Sequence, residues 1–171
     1  MKVKILEVDS DQLISAEIKG DKKKCPRWLT VGLLILINIF YRKEKRVFVL
    51  VKEDTPTIIE GCMIFSNHEI FGPFMDYLEV ASHNWGRNGK YKRVAGCLIA
   101  YACRLSFKET IGAERGILTF KAFAKDGDAQ RYLEDLYRTK YLAVKNPFGY
   151  MEIYSDQSEI LINEYLNNNK E

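Results

Sequence analysis

MDYLEVASHNWGRNGKYKRVAGCLIAYACRLSF, residues 75–107, decides the fold. Its first part, Met75 to Ala81, reads as a strand, and Ser82 to Arg93 reads as a basic turn. Val94 to Phe107 then reads as a helix apolar almost all round, which implies burial on more than one side. The first turn of a helix exposes backbone N–H groups without internal partners, at the positive end of the macrodipole. A strand that delivers such an end beside Arg87, Lys90, Lys92 and Arg93 makes a seat for phosphate oxygens.

The surroundings fit one folded unit. The chain has 171 residues, 47% hydrophobic and 29% charged, enough for one domain spanning 1–171 with a substantial core. A net charge of only +3, and no aromatic stacking platform, argue against a nucleic-acid binder. Basic residues cluster at Lys22 to Lys24, Arg42 to Arg46 and Arg87 to Arg93, and the first two clusters read as solvated faces. Cys25, Cys62, Cys97 and Cys103 lie far apart without metal-ligand spacing, so they read as reduced, partly buried thiols and no metal is expected. Met1 to Asp9 alternates like a strand rather than a secretory signal. Val31 to Phe40 is apolar but too short to span a bilayer. Burial in the core is the better reading of that run, with docking on a partner protein or membrane surface, or a homodimer contact, left open. A cytoplasmic protein is expected.

Outward from the central stretch, Val3 to Val8 is a short strand, and Asp9-Ser10-Asp11 supplies capping chemistry for a following helical stretch. Arg46 to Lys52, Ile58 to Ser66 and the strand ending near Ala81 form an antiparallel meander. Gly116 to Ala122 is a strand, so strand, buried helix and strand make a parallel crossover. Asp126-Gly127-Asp128 caps a helix over Ala129 to Arg138. Tyr141 to Val144 and Tyr150 to Tyr154 read as a closing pair of strands, and Ser155-Asp156 as the cap of a last helix to about Asn167.

This order of elements resembles the GNAT superfamily of N-acetyltransferases from Val47 to Ile153. That family's R/Q-x-x-G-x-G/A motif falls on Lys90-Tyr91-Lys92-Arg93-Val94-Ala95, followed by Gly96, and its later aromatic pair falls on Leu136-Tyr137. Glu79-Val80-Ala81-Ser82-His83-Asn84 is similar to the E-x-A-x-H-N segment of a small bacterial branch of the family. The motif departs in two places: Lys90 stands for Arg/Gln and Arg93 for the first Gly. Arg93 must either point away from a bound phosphate or swing in and pair with it.

The resemblance implies an α/β fold with a mixed, mostly antiparallel central sheet, one parallel strand–helix–strand crossover and flanking helices. It implies acetyl-CoA as co-substrate, an unidentified amine as acceptor and direct transfer without a covalent enzyme intermediate. Val80 and Ala81 would contact the pantetheine arm. Arg87, Lys90, Tyr91, Lys92, Arg93, Val94, Ala95 and Gly96 would hold the pyrophosphate. Tyr137 matches the family's general acid, and a phenol is protonated at neutral pH; a core tyrosine is the other reading. Glu79, a carboxylate in an apolar strand, or His83 would take the amine's proton; each also reads as an ordinary strand or turn residue. Asn84 reads as a loop-fixing residue. The alternative to an enzyme is a catalytically inactive interaction or regulatory module on the same fold.

Overall fold

The computed structural model describes residues 1–21, 45–124 and 126–167. Its strands are β1 (Lys2–Glu7), β2 (Gln12–Asp21), β3 (Arg46–Lys52), β4 (Ile59–His68), β5 (Gly72–Val80), β6 (Tyr91–Lys92), β7 (Leu118–Phe120), β8 (Val144–Lys145) and β9 (Met151–Ile153). Helices α1 (Val94–Glu109), α2 (Gly127–Tyr141) and α3 (Ser155–Ile162) flank them, and a π-helical turn, Asn163–Asn167, extends α3. The strands form a sheet in the order β6-β1-β2-β3-β4-β5-β7-β9-β8. Among the described strands only the β5–β7 pair is parallel. The expected mixed sheet, meander and crossover are all present.

α1 is apolar almost all round because it is enclosed over most of its surface. One side packs on β4 and β5, and the other is covered by α3 and the π-helical turn. Cys97, Leu98, Ile99, Ala100, Ala102 and Cys103 are all fully buried. The close approach is set by glycines: a Cβ at Gly61 on β4 would lie 2.7 Å from Val94 Cγ1, and one at Gly96 would overlap the Tyr165 ring.

Several local expectations are corrected. Asp9 to Asp11 does not cap a helix; it turns β1 into β2, with Asp11 at φ 52°. Ile14, Ala16 and Ile18 alternate inward along β2, a period of two that the flanking polar residues mask. Tyr141 ends α2 rather than starting a strand, and Leu142 closes the helix at φ 57°. Asp126 does cap α2, accepting from Ala129 N–H at 2.8 Å. Tyr154, not Ser155 or Asp156, is the N-cap of α3, without a side-chain bond. Arg46 is not on a solvated face: its guanidinium donates to both oxygens of Glu109, at 2.7 and 2.6 Å. The runs Lys22 to Lys24 and Val31 to Phe40, and Cys25, lie outside the described residues.

Candidate active site at the split of the sheet

The parallel pair is short. β5 meets β7 only at Phe74 with Thr119 and Met75 with Phe120. The next residue, Asp76, is a β-bulge, since Phe65 pairs with Met75 and Ile64 with Tyr77. Its carboxylate accepts from Ser66 Oγ at 2.6 Å and is ion-paired with Lys45. A bulge bends its strand and raises the local twist, so β5 leaves β7 at that point. It runs on to Val80 with no described strand along that edge. Ala81 N–H is bonded back to Glu60 O at 2.9 Å, which turns the Val80 carbonyl to the open edge. There the Trp85 indole donates to it at 2.6 Å.

The loop from the split to α1 is held by its own backbone. Lys90 N–H reaches His83 O at 2.8 Å, Val8 N–H reaches Lys90 O at 3.0 Å, and Tyr91 N–H reaches Asn84 Oδ1 at 3.0 Å. Gly89 is required, because a Cβ would overlap the Asn84 carbonyl. Tyr91 and Lys92 then pair with Glu7 and Leu6 of β1, which fixes the direction in which α1 starts.

Arg93, the N-cap of α1, takes φ 72°, the left-handed conformation that glycine adopts freely. Its guanidinium points away from the helix entrance, donating to Glu164 O at 2.6 Å and lying 4.9 Å from the Tyr165 ring centre. No side chain caps α1, and its first internal bond is Cys97 N–H to Arg93 O, at 2.8 Å. The N–H groups of Val94, Ala95 and Gly96 therefore have no intrahelical carbonyl.

This entrance opens on a cleft of about 620 Å³. Val80, Arg87, Tyr91, Lys92, Arg93, Val94 and Ala95 border it on one side, and Tyr132, Leu136 and Lys140, spaced by four along α2, on the other. Ala81, Lys90 and Gly96 do not. Ala81 borders a second cavity, Lys90 Nζ lies 5.2 Å over the Tyr91 ring, and Gly96 is packed on Tyr165. Lys92 spends its ammonium on the Gly86 carbonyl. Lys140 escaped sequence reading because its link to the cleft is made by packing α2 against the split.

The second cavity, about 410 Å³, brings Glu79 and His83 together, with Ile58, Ile59, Ala81 and Trp85. Trp85, 62% exposed, borders both spaces. Glu79 accepts from the Tyr77 hydroxyl at 2.7 Å. His83 Nε2 lies 2.6 Å from Oε2 of Glu60, a residue only 2% exposed and absent from the sequence-based candidates. The available signal was of the kind that singled out Glu79: a carboxylate inside an apolar strand. Asn84 does fix the loop, donating to Glu60 Oε2 at 2.9 Å and to Glu60 O at 3.2 Å.

Tyr137 borders neither cavity. It stands edge-on to Phe120 of β7, ring centres 4.7 Å apart, and 6.0 Å from Tyr141. Burial pushes its phenol up to about 12, so the group is protonated throughout the neutral range.

Three solved structures share the fold. The KacTA–DNA complex matches with a TM-score of 0.58 at 14% identity, over 87% of this chain and 99% of that one. AtaTR bound with AcCoA matches at 0.55 and 14%, over 85% and 97%. An AtaT mutant toxin bound to the C-terminus of the antitoxin AtaR matches at 0.53 and 13%, over 85% and 97%. No family model and no curated protein matches the sequence. The likeness is one of fold, a GNAT-like α/β fold.

Proposed function

We propose that this chain is an acetyl-CoA-dependent N-acetyltransferase that passes the acetyl group directly to an amine. The observation that carries the reading is the coincidence of three features in one cleft: the splayed β5–β7 edge, the side-chain-free entrance of α1, and the cations Arg87 and Lys140. AtaTR, which shares the fold, is bound with AcCoA, and supports the same ligand here. The residues present fit it. Val94 and Ala95 offer amides to a diphosphate, Arg87 and Lys140 supply charge, and the edge of β5 at Val80 offers backbone bonds to an amide-bearing arm. Bound there, acetyl-CoA supplies the activated acetyl thioester. Tyr137 is the candidate donor of a proton to the leaving sulfur. Glu79 and His83 are candidates for receiving the amine's proton.

Titration calorimetry with acetyl-CoA tests this. Saturable binding is expected, weakened by tenfold or more, about 1.4 kcal/mol, in Arg87→Glu combined with Lys140→Glu. Lack of binding at millimolar acetyl-CoA removes the reading. A second reading, a module of this fold without turnover, is favoured by one contact, the Trp85 indole on the Val80 carbonyl. Binding of acetyl-CoA without acetylation of any amine in a broad panel would select it.

A further inference from the structure

The cavity beside Glu79 and the buried Glu60–His83 pair are not explained by holding a diphosphate. β4 carries a bulge at Glu60: Leu50 pairs with Gly61 and Val51 with Ile59, leaving Glu60 without a partner on β3. Bulges re-aim side chains next to active sites. Here the re-aimed carboxylate is nearly inaccessible, yet its partner His83 has 43% of its side chain exposed and borders the cavity. The hydrogen bonds also assign the imidazole. Asn84 Oδ1 accepts from Tyr91 N–H, so its Nδ2 is the donor to Glu60 Oε2. With Glu60 as the carboxylate and the imidazole neutral, that oxygen accepts from His83 Nε2–H as well, and Nδ1 carries the lone pair. A carboxylate that orients a histidine in this way is the arrangement that makes the far nitrogen a base.

Resting on the acetyltransferase reading, we infer that the 410 Å³ cavity receives the acceptor, a primary amine on a compact apolar body, and that His83, positioned by Glu60, takes its proton. Ile58, Ile59 and Trp85 pack the apolar body, and Glu79 attracts the ammonium. His83 Nδ1 accepts one proton from the ammonium and passes it to solvent. The freed lone pair attacks the thioester carbonyl carbon, so that the N–C bond forms and the C–S bond breaks. The sulfur leaves as the thiolate and takes a proton from solvent, and the amide nitrogen gives its second proton to solvent. The titratable groups around His83 are Glu60 on β4, Glu79 on β5 and the Tyr91 phenol on β6, which Lys52 on β3 holds at 3.2 Å.

The chain has two histidines, so imidazole NMR on the full-length protein carries an internal control. His68 lies at the other end of β4, stacked near Phe71 and Phe74. Phenethylamine, added with acetyl-CoA present, should shift the His83 resonances saturably and leave those of His68 in place. Long-range ¹H–¹⁵N spectra should show His83 protonated on Nε2, and Glu60→Gln should lose that tautomer preference. His83→Gln should lower kcat for phenethylamine by about 10²-fold, with its KM and the acetyl-CoA affinity unchanged. Phenethylamine and hexylamine should exceed glucosamine and spermidine by about tenfold in kcat/KM. The inference is overturned if acetyl-CoA binds but phenethylamine leaves His83 unmoved, or if His83→Gln retains the wild-type kcat. Failure to bind acetyl-CoA would instead strike the acetyltransferase reading. Should Glu60→Gln not fold, the half-exposed His83→Gln decides alone.

Discussion

Arg93 lies with its guanidinium 4.9 Å from the ring centre of Tyr165, and that contact accounts for a backbone conformation that an arginine rarely adopts. The residue at the mouth of α1 must turn the chain at φ 72°. A glycine would do so freely, whereas Arg93 is held there by the ring and by its bond to Glu164 O. The side chain that would crowd the helix entrance is thereby tied to the C-terminal segment.

Two substitutions at Arg93 should therefore differ in stability. Arg93→Gly loses the stacking and the hydrogen bond but relieves the left-handed strain, so its net change should be within about 1 kcal/mol. Arg93→Ala loses the same contacts and keeps the strain, and should be less stable than the glycine variant by about 1–2 kcal/mol. Urea denaturation of the pair measures the difference, and equal midpoints would refute this account.

Gly96 is fixed by the same ring. Gly96→Ala should cost about 1–3 kcal/mol, because the added methyl overlaps Tyr165. Adding Tyr165→Leu should recover part of that loss, and a fully additive double mutant would show that the overlap is not its source.

Tyr137 predicts an alkaline limit. Its phenol ionises at about 12 in the folded chain and near 10 when unfolded. Between those values the unfolded state gives up the proton first, so stability is complete below pH 10 and declines as pH rises toward 12. Tyr137→Phe should flatten that decline in denaturation experiments run from pH 9 to 11. If Tyr137 is the acid, the same substitution should lower the acetyl-transfer kcat by about 10²-fold.

Cys97 and Cys103 should be inert in the native protein. Burial pushes both thiols up to about 12, leaving negligible thiolate at pH 8. Alkylation resolved by mass spectrometry should label them only as fast as the chain unfolds, and rapid labelling of either would contradict their burial.

Much of the fold was legible because it rests on local signals. The short apolar runs in Arg46 to Lys52 and Ile58 to Ser66, the cap at Asp126 and the largely apolar surface of α1 each name their element directly. β2 was missed because Asp9-Ser10-Asp11 suits a helix cap and a hairpin turn equally well. The hairpin won because it places Ile14, Ala16 and Ile18 against a sheet that no local window contains. Glu79 and His83 were singled out as candidates by residue type, but the contact of His83 with Glu60 was not.

The sequence by itself determined a strand that ends in a basic, glycine-bearing loop and feeds a helix apolar almost all round. Those properties follow from periodicity and composition within about thirty consecutive residues. Only the tertiary structure decided where β5 parts from β7, which way Arg93 points and which carboxylate reaches His83. Each depends on groups far apart along the chain: the Asp76 bulge on Ser66 and Lys45, Arg93 on Glu164 and Tyr165, and His83 on Glu60. Packing of α3 on α1 and the register of β4 against its neighbours bring them together, and no local pattern records either.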